Sequence, residues 1–420
     1  MKNKLKKKIL IMIPTFGRGG AERVASILTR NLIDEFEIEI LVKSLSSGKN
    51  YDFDGKVIDL NVVFHNSIFL KIFRFIKTYF FIRSIKKRNN YYKSISFLEE
   101  MNVLNILTSF SHNDAILCVR SYLSNVFISK SLSDSIFRFI IKKFYNKSNS
   151  IVVQSSYVTD DLVKNFGILK NKIKVIPNIF EISKIRNLSS SKDSLNGSFD
   201  KLKKFTVFSN LGRLDHLKGQ EYLIKVFSKL VNNHSVKLFL IGNGILKNNL
   251  IKMSKSFGLK VFVEDVDPFK ENFDVYFWKP RNNPFNILKS SNIYLHSSSL
   301  EGFPNVIVEA MACGLPVLST DCLSGPRDII SPNSINKTSK KESFPEYSEY
   351  GILMPVFRDL NKKEFNNSDI IIDLWVSTLE KILSDSNILN EYIKKSISRS
   401  NDFDVKKILY KWKKVINDST

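Results

Sequence analysis

The 420-residue chain is 43% apolar and 25% charged, enough for two or three domains that each bury a core; that excludes a disulfide-stapled mini-protein, a collagen-like fibre and a disordered acidic tail. Its 64 Lys and Arg outnumber 41 Asp and Glu, a net charge of +23, with 32 against 17 in the first 200 residues. Such a balance favours anionic partners (nucleic acid, phospholipid headgroups or phosphorylated substrates) or serves solubility alone.

Lys2 to Lys8 are followed by ILIMIP, an apolar run that Pro14 ends too early for a secretory leader, with no small-residue cleavage site after it. The run predicts a first β-strand over 8–14. Further strands are expected at 38–44, 95–98, 115–119, 150–155 and 174–177, then at 205–212, 236–242, 275–278, 293–298 and 316–320. Short apolar runs separated by helical lengths predict parallel strands covered on both faces, an α/β architecture. The interval 183–204, rich in Ser, Asn and Lys, is expected to be a linker between a domain of residues 1–182 and another of 205–400. Ser331 to Tyr350 reads as a projecting polar loop. Residues 401–417 carry Phe403, Ile408, Leu409, Trp412, Val415 and Ile416 at helical spacing among lysines, a helix expected to pack back on the first domain.

Four constellations could carry chemistry. Gly17-Arg18-Gly19-Gly20-Ala21-Glu22-Arg23 follows the first strand and opens a helix, where glycine admits a ligand to the backbone and free amides suit an anion. The dinucleotide pattern Gly-x-Gly-x-x-Gly fails at Arg23, and an ordinary tight turn is the alternative. Gly212-Arg213-Leu214-Asp215-His216-Leu217-Lys218-Gly219 follows the strand 205–212, placing two cations where ligands of open parallel sheets sit, unless both are merely solvated. In Glu301-Gly302-Phe303-Pro304-Asn305-Val306-Ile307-Val308-Glu309 and the apolar residues after it, Glu309 is the only charge of a helix that reads as buried nearly all round. A buried carboxylate needs donors, which sugar hydroxyls supply; the plainer reading lets Glu309 reach solvent. Residues 66–88 mix Phe and Ile with Ser67, Lys71, Arg74, Lys77 and Thr78. They read as a helix in a membrane interface or as a core helix with a basic outer stripe. No stretch approaches the ~18 uninterrupted apolar residues of a spanning helix.

Metal signals are weak. The Asp-x-Asp pairs at 52/54, 265/267 and 402/404 are expected by chance among 41 acids, and the five histidines lack ligand spacing. Cys118, Cys313 and Cys322 form no Cys-x-x-Cys pair, so a reducing compartment and no structural zinc are expected.

In order, GGAERV, VVQSS, VIPN, GRLDHLKG, LIGNG and SSSLEGFPNVIVEAMACGLPVLSTDCLSGPRDII resemble the retaining glycosyltransferases of family 4, in their bacterial surface-polysaccharide branch. The resemblance implies the GT-B fold, two Rossmann-like parallel-sheet domains facing a cleft, with the nucleotide diphosphate sugar on the second domain and the acceptor on the first. It implies that Arg213 and Lys218 hold the donor diphosphate, Glu309 bonds the ribose and Glu301 lies near the transferred sugar. Amides around Phe303, Pro304, Asn305 and Val306 would meet its oxygens, and Gly19 and Gly20 would approach from the first domain. Where relatives carry an acceptor-side histidine, this chain has Cys118-Val119-Arg120-Ser121, so Arg120, or alternatively His112, takes that place; Trp278-Lys279 stand where relatives commonly have glycine. The implied activity is transfer to a polyprenyl-diphosphate-linked oligosaccharide in O-antigen, capsule or similar synthesis. It needs no metal or cofactor and no nucleic acid, on a cytoplasmic protein peripheral to an anionic membrane face. A nucleotide-sugar epimerase or hydrolase of the same fold, and a non-catalytic basic membrane- or nucleic-acid-binding protein, are the rival readings.

Overall fold

The computed structural model describes residues 6–17, 19–45, 48, 51–62, 68–111, 114–127, 131–191, 199–334, 344–357 and 368–418. The chain divides into two units, one formed by residues 1–180 with 404–420 and the other by 181–403.

The first unit is built on a parallel sheet of β1 (Lys7–Ile13), β2 (Phe36–Val42), β3 (Lys56–Asp59), β4 (Lys93–Phe97), β5 (Ala115–Val119), β6 (Ser150–Val153) and β7 (Ile173–Val175), in the order β3-β2-β1-β4-β5-β6-β7. The strand β1 shows why its apolar run does not alternate with polar residues. Ile9, Ile11 and Ile13 enter a core with Val24, Leu28 and Trp412, while Leu10 and Met12 enter another with Ile82, Ile85, Met101 and Leu104. Both faces are covered, as a central parallel strand requires. Sheet order reverses between β1 and β4, so the loops after those two strands flank the position where open α/β sheets bind ligands.

The second unit repeats the plan with β8 (Thr206–Leu211), β9 (Val236–Ile241), β10 (Val261–Val263), β11 (Val275–Trp278), β12 (Ile293–His296), β13 (Val317–Thr320), β14 (Glu346–Tyr347) and β15 (Ile352–Met354). Their order is β10-β11-β9-β8-β12-β13-β15-β14, and only the β14–β15 pairing is antiparallel. Here the order reverses between β8 and β12.

Three boundaries differ from the sequence expectation. The chain leaves the first unit at Phe180, and of the linker expected over 183–204 the described residues 183–191 and 199–204 belong to the second unit. Helix Ile182–Ser189 buries Ile182 and Ile185, Arg186 donates to the Ile397 carbonyl at 3.0 Å and to Ser400 Oγ at 3.0 Å, and Phe199 packs edge-on against Trp278. Composition hid the three-residue spacing of those isoleucines. The return helix is Val405–Asn417, capped by Asp404, whose carboxylate accepts from the Lys406 amide; Phe403 stays in the second unit against Phe303. Of the loop expected over 331–350, Glu346–Tyr347 forms β14, and Arg327 Nη1 donates to the Glu346 carboxylate at 2.9 Å.

Candidate functional site

Two loops of the second unit meet at the carboxyl ends of β8 and β12. Asn210 Nδ2 donates to the Leu295 carbonyl at 2.8 Å, and Gln220 Nε2 donates to Asn210 Oδ1 and to the Arg213 carbonyl, which staples loop 212–219 to the sheet. Gly219 starts helix Gln220–Leu230 in the left-handed region, φ +66°, and a Cβ there would lie 2.6 Å from the Ser297 carbonyl oxygen. Only glycine lets the loops approach this closely. Ser297 Oγ then donates to the Lys218 carbonyl at 2.6 Å.

This approach sets Lys218 against Glu301. Lys218 Nζ lies 2.5 Å from Glu301 Oε1, and His296 Nε2, from the end of β12, lies 3.2 Å from the same oxygen. Behind it, His296 Nδ1 is 2.9 Å from Ser319 Oγ on β13. Burial drives the His296 pKa down, so the ring is neutral near pH 7. The arrangement then fits Nε2–H donating to the Glu301 carboxylate, which can only accept, while Ser319 Oγ donates to the Thr320 carbonyl at 2.8 Å. Burial also pushes the Glu301 carboxyl upward, but Lys218 and His296 outweigh it and hold that carboxyl well below the usual range. Glu301 is therefore an ionised, fixed carboxylate and not a proton donor at neutral pH. His296 is a site residue the sequence reading passed over; its signal was a histidine at the carboxyl end of a buried strand, five residues before Glu301.

Glu309 lies on helix Asn305–Ala312 at 6% exposure, among Ile307, Val308, Ala310 and Met311. Tyr294 on β12 lies within reach of its charge. Burial first, then Glu309 and Glu301, raises the Tyr294 phenol, and its hydroxyl donates to the Leu211 carbonyl. Pro304 stands at the helix N-cap and Phe303 is buried, so the first-turn residues Asn305 and Val306 open at this same sheet edge. The turn is pinned from below. Ser324 Oγ donates to the Gly302 carbonyl at 2.7 Å, and a Cβ on Gly325 would stand 2.4 Å from Pro304 Cδ. Arg213 shares loop 212–219 with Lys218 but is mostly exposed and lies 3.1 Å from Asp215. Its guanidinium is thus free to turn toward a ligand at little cost, whereas Lys218 is held.

In the first unit, Gly19 caps helix Gly20–Leu32, and a Cβ there would fall 2.0 Å from Glu22 Oε2. The buried Glu22 side chain thus packs against the helix end at which the sequence reading placed an anion beside Gly19 and Gly20. Arg120 stands at the carboxyl end of β5, its Nη1 donating to Asn178 Oδ1 at 2.9 Å. His112 lies outside the described residues. Among the described residues no group of three or more His, Cys, Asp and Glu could hold a metal ion.

Residues 191–347, which contain this whole second-unit cluster, match the family model described as glycosyl transferases group 1. An uncharacterized glycosyltransferase of Methanocaldococcus jannaschii is 34% identical over 284 residues, 66% of this chain and 65% of that protein. A Campylobacter jejuni enzyme is 25% identical over 96% of this chain and 97% of its own length; its name is N-acetylgalactosamine-N,N'-diacetylbacillosaminyl-diphospho-undecaprenol 4-alpha-N-acetylgalactosaminyltransferase. The chain is a glycosyltransferase, with a group 1 domain over residues 191–347. Among solved structures, Anabaena HepE in complex with UDP and glucose superposes with a TM-score of 0.69 at 17% identity, over 98% of this chain and all of that one. The lipopolysaccharide glycosyltransferase WaaG gives 0.66 at 14%, over 97% and 99%. The two α/β units of this glycosyltransferase are thus those of the GT-B fold.

Proposed function

We propose that this glycosyltransferase moves a hexose from a nucleoside diphosphate sugar, with retention, to a hydroxyl of a lipid-linked oligosaccharide during bacterial surface-polysaccharide synthesis. One observation carries the reading: a fixed Lys218–Glu301–His296 cluster and a buried Glu309 share the carboxyl edge at the β8/β12 switch point. The donor diphosphate takes its counter-charge from Lys218, from Arg213 as it swings inward, and from the amino end of helix Asn305–Ala312. Glu309 accepts from the ribose hydroxyls. Glu301, kept ionised, orients Lys218 and faces the sugar. The leaving diphosphate receives the acceptor's proton as the new glycosidic bond forms on the face that the old bond leaves. Metal chemistry has no part in this scheme, so EDTA is expected to leave turnover unchanged.

The relatives' names support the acceptor class. Those from Campylobacter jejuni specify undecaprenol diphosphate acceptors, and others from Staphylococcus aureus and Erwinia amylovora name capsular polysaccharide and amylovoran biosynthesis. A peripheral position on an anionic membrane face is supported by the first unit. Helix Ile68–Asn89 exposes Ile72, Phe73, Ile76 and Phe80, and helix Leu132–Phe144 exposes Leu132, Ile136 and Phe139, with Lys142 and Lys143 in its last turn. No helix among the described residues is long and apolar enough to cross a membrane.

The deciding experiment is a thermal-shift screen of UDP-, GDP- and ADP-sugars, followed by proton NMR of the product made on a diphosphate-linked acceptor. Stabilisation by one nucleotide series and a retained anomeric configuration are expected. An inverted anomer ends the retaining scheme, and donor consumption that ignores acceptor points to an epimerase or hydrolase.

A further inference from the structure

Arg120 follows β5 at the carboxyl edge of the first unit, and it is held by three separate elements. Nη1 donates to Asn178 Oδ1, in the segment after β7. The guanidinium lies 5.3 Å from the ring centre of Phe97 on β4 and 5.9 Å from that of Trp412 on the return helix. On the other edge of the group, Nε and Nη2 are both buried without a hydrogen-bond partner among the described residues. Cys118 lies alongside, but a thiol is a weak acceptor. Glu99, at the end of the neighbouring β4, does not serve as counter-ion; its Oε2 accepts from the Tyr145 hydroxyl at 2.9 Å and it makes no ion pair with Arg120 among the described residues.

Arginine keeps its charge when half-buried, so this is a cation with three of its five N–H donors unused. A packed core gains nothing from that, since an apolar side chain of similar volume would fill the space without the desolvation penalty. Nε–H and the Nη2–H on the same side form the planar fork that fits two oxygens of one carboxylate or phosphate. Its place at the carboxyl ends of parallel strands is where ligands of such sheets sit.

We propose that the Nε/Nη2 fork of Arg120 grips an oxyanion of the acceptor, supplied by the diphosphate of its lipid carrier or by the carboxylate of an acidic sugar, and so selects for an anionic acceptor. The proposal rests on the transferase reading above. The full-length protein is first titrated with UDP, GDP and ADP by calorimetry, then, saturated with the nucleotide that binds, with farnesyl diphosphate and separately with sodium glucuronate. One of the two is expected to bind, and which one identifies the source of the oxyanion. Arg120→Gln is expected to weaken that binding at least tenfold. Arg120→Lys, which keeps the charge but lacks the fork, is expected to weaken it several-fold and decides the matter if the glutamine variant fails to fold. Failure of all three nucleotides to bind counts against the transferase reading alone. With a nucleotide bound, no binding of either oxyanion, or a folded variant that binds as tightly as wild type, overturns the role of Arg120.

Discussion

Lys218 and Glu301 are worth most to each other because neither has room to change partner. With the Glu301 side chain only 11% exposed and Lys218 22%, removing the ammonium strands a carboxylate beside a neutral His296. Lys218→Ala is therefore expected to lower stability by about 2–4 kcal/mol at pH 7. The sign of the pH dependence follows from the depressed carboxyl: the pair stabilises the fold above the unfolded carboxyl pKa, and that contribution fades as pH falls toward the lower folded value. Urea unfolding followed by tryptophan fluorescence should thus show wild type and variant converging below about pH 4. An equal gap at pH 7 and pH 3 would assign the loss to packing. Glu309 makes a separate prediction. On the proposed function, Glu309→Ala removes the acceptor of the ribose hydroxyls, and calorimetry should show nucleotide-sugar affinity falling at least tenfold, about 1.4 kcal/mol. Unchanged affinity removes the ribose from its partners.

At the scale of elements, helix Ile68–Asn89 answers its two sequence readings at once. Thr78, Ile82, Ile85 and Lys86 are buried while Ile72, Phe73, Ile76 and Phe80 are exposed, so apolar groups lie on both sides and the sides do not separate into aromatic and basic. Lys86 donates to the Asn105 carbonyl and side chain, and burial pushes its pKa down to about 7. Substituting Phe73 and Phe80 together with serine should abolish flotation with anionic vesicles and leave the melting temperature within a degree or two. Ile82→Ala should cost about 2–4 kcal/mol of stability and leave flotation intact. The reverse pattern would place the outer aromatics in the fold and not on a membrane. Other elements escaped the sequence for simpler reasons. The strand β3, KVID, is an exposed edge with no apolar run, and β10 and β15 are three residues each, too short for any period to show. The buried runs of β1 and β5 were legible because a parallel strand covered twice keeps few polar positions to blur it.

For the whole molecule, order along the chain and order in space part company at two points, and the sequence showed only one of them. Motif order placed the donor-side residues on one sheet edge, yet it could not show that His296 and Ser319 complete the cluster, since those contacts join β12 to β13 across 23 residues. The return of the chain at Asp404 was legible as a helical stripe, and its weight can be measured. Ile408, Trp412, Val415 and Ile416 are buried with Ile9, Ile11, Val24 and Phe97 in the first unit, a contribution of roughly 6 kcal/mol or more from four apolar side chains. Domains of this size hold about 5–15 kcal/mol in total. A chain ending at Phe403 should therefore keep amide protection in β8 to β13, while β1, β2 and β4 exchange their hydrogens within the dead time. The second unit retains its own core in that chain, including Phe403 against Phe303. Hydrogen exchange that falls equally in both sheets would show that the units unfold as one body, and exchange unchanged in β1 would show that the helix only decorates a core complete without it.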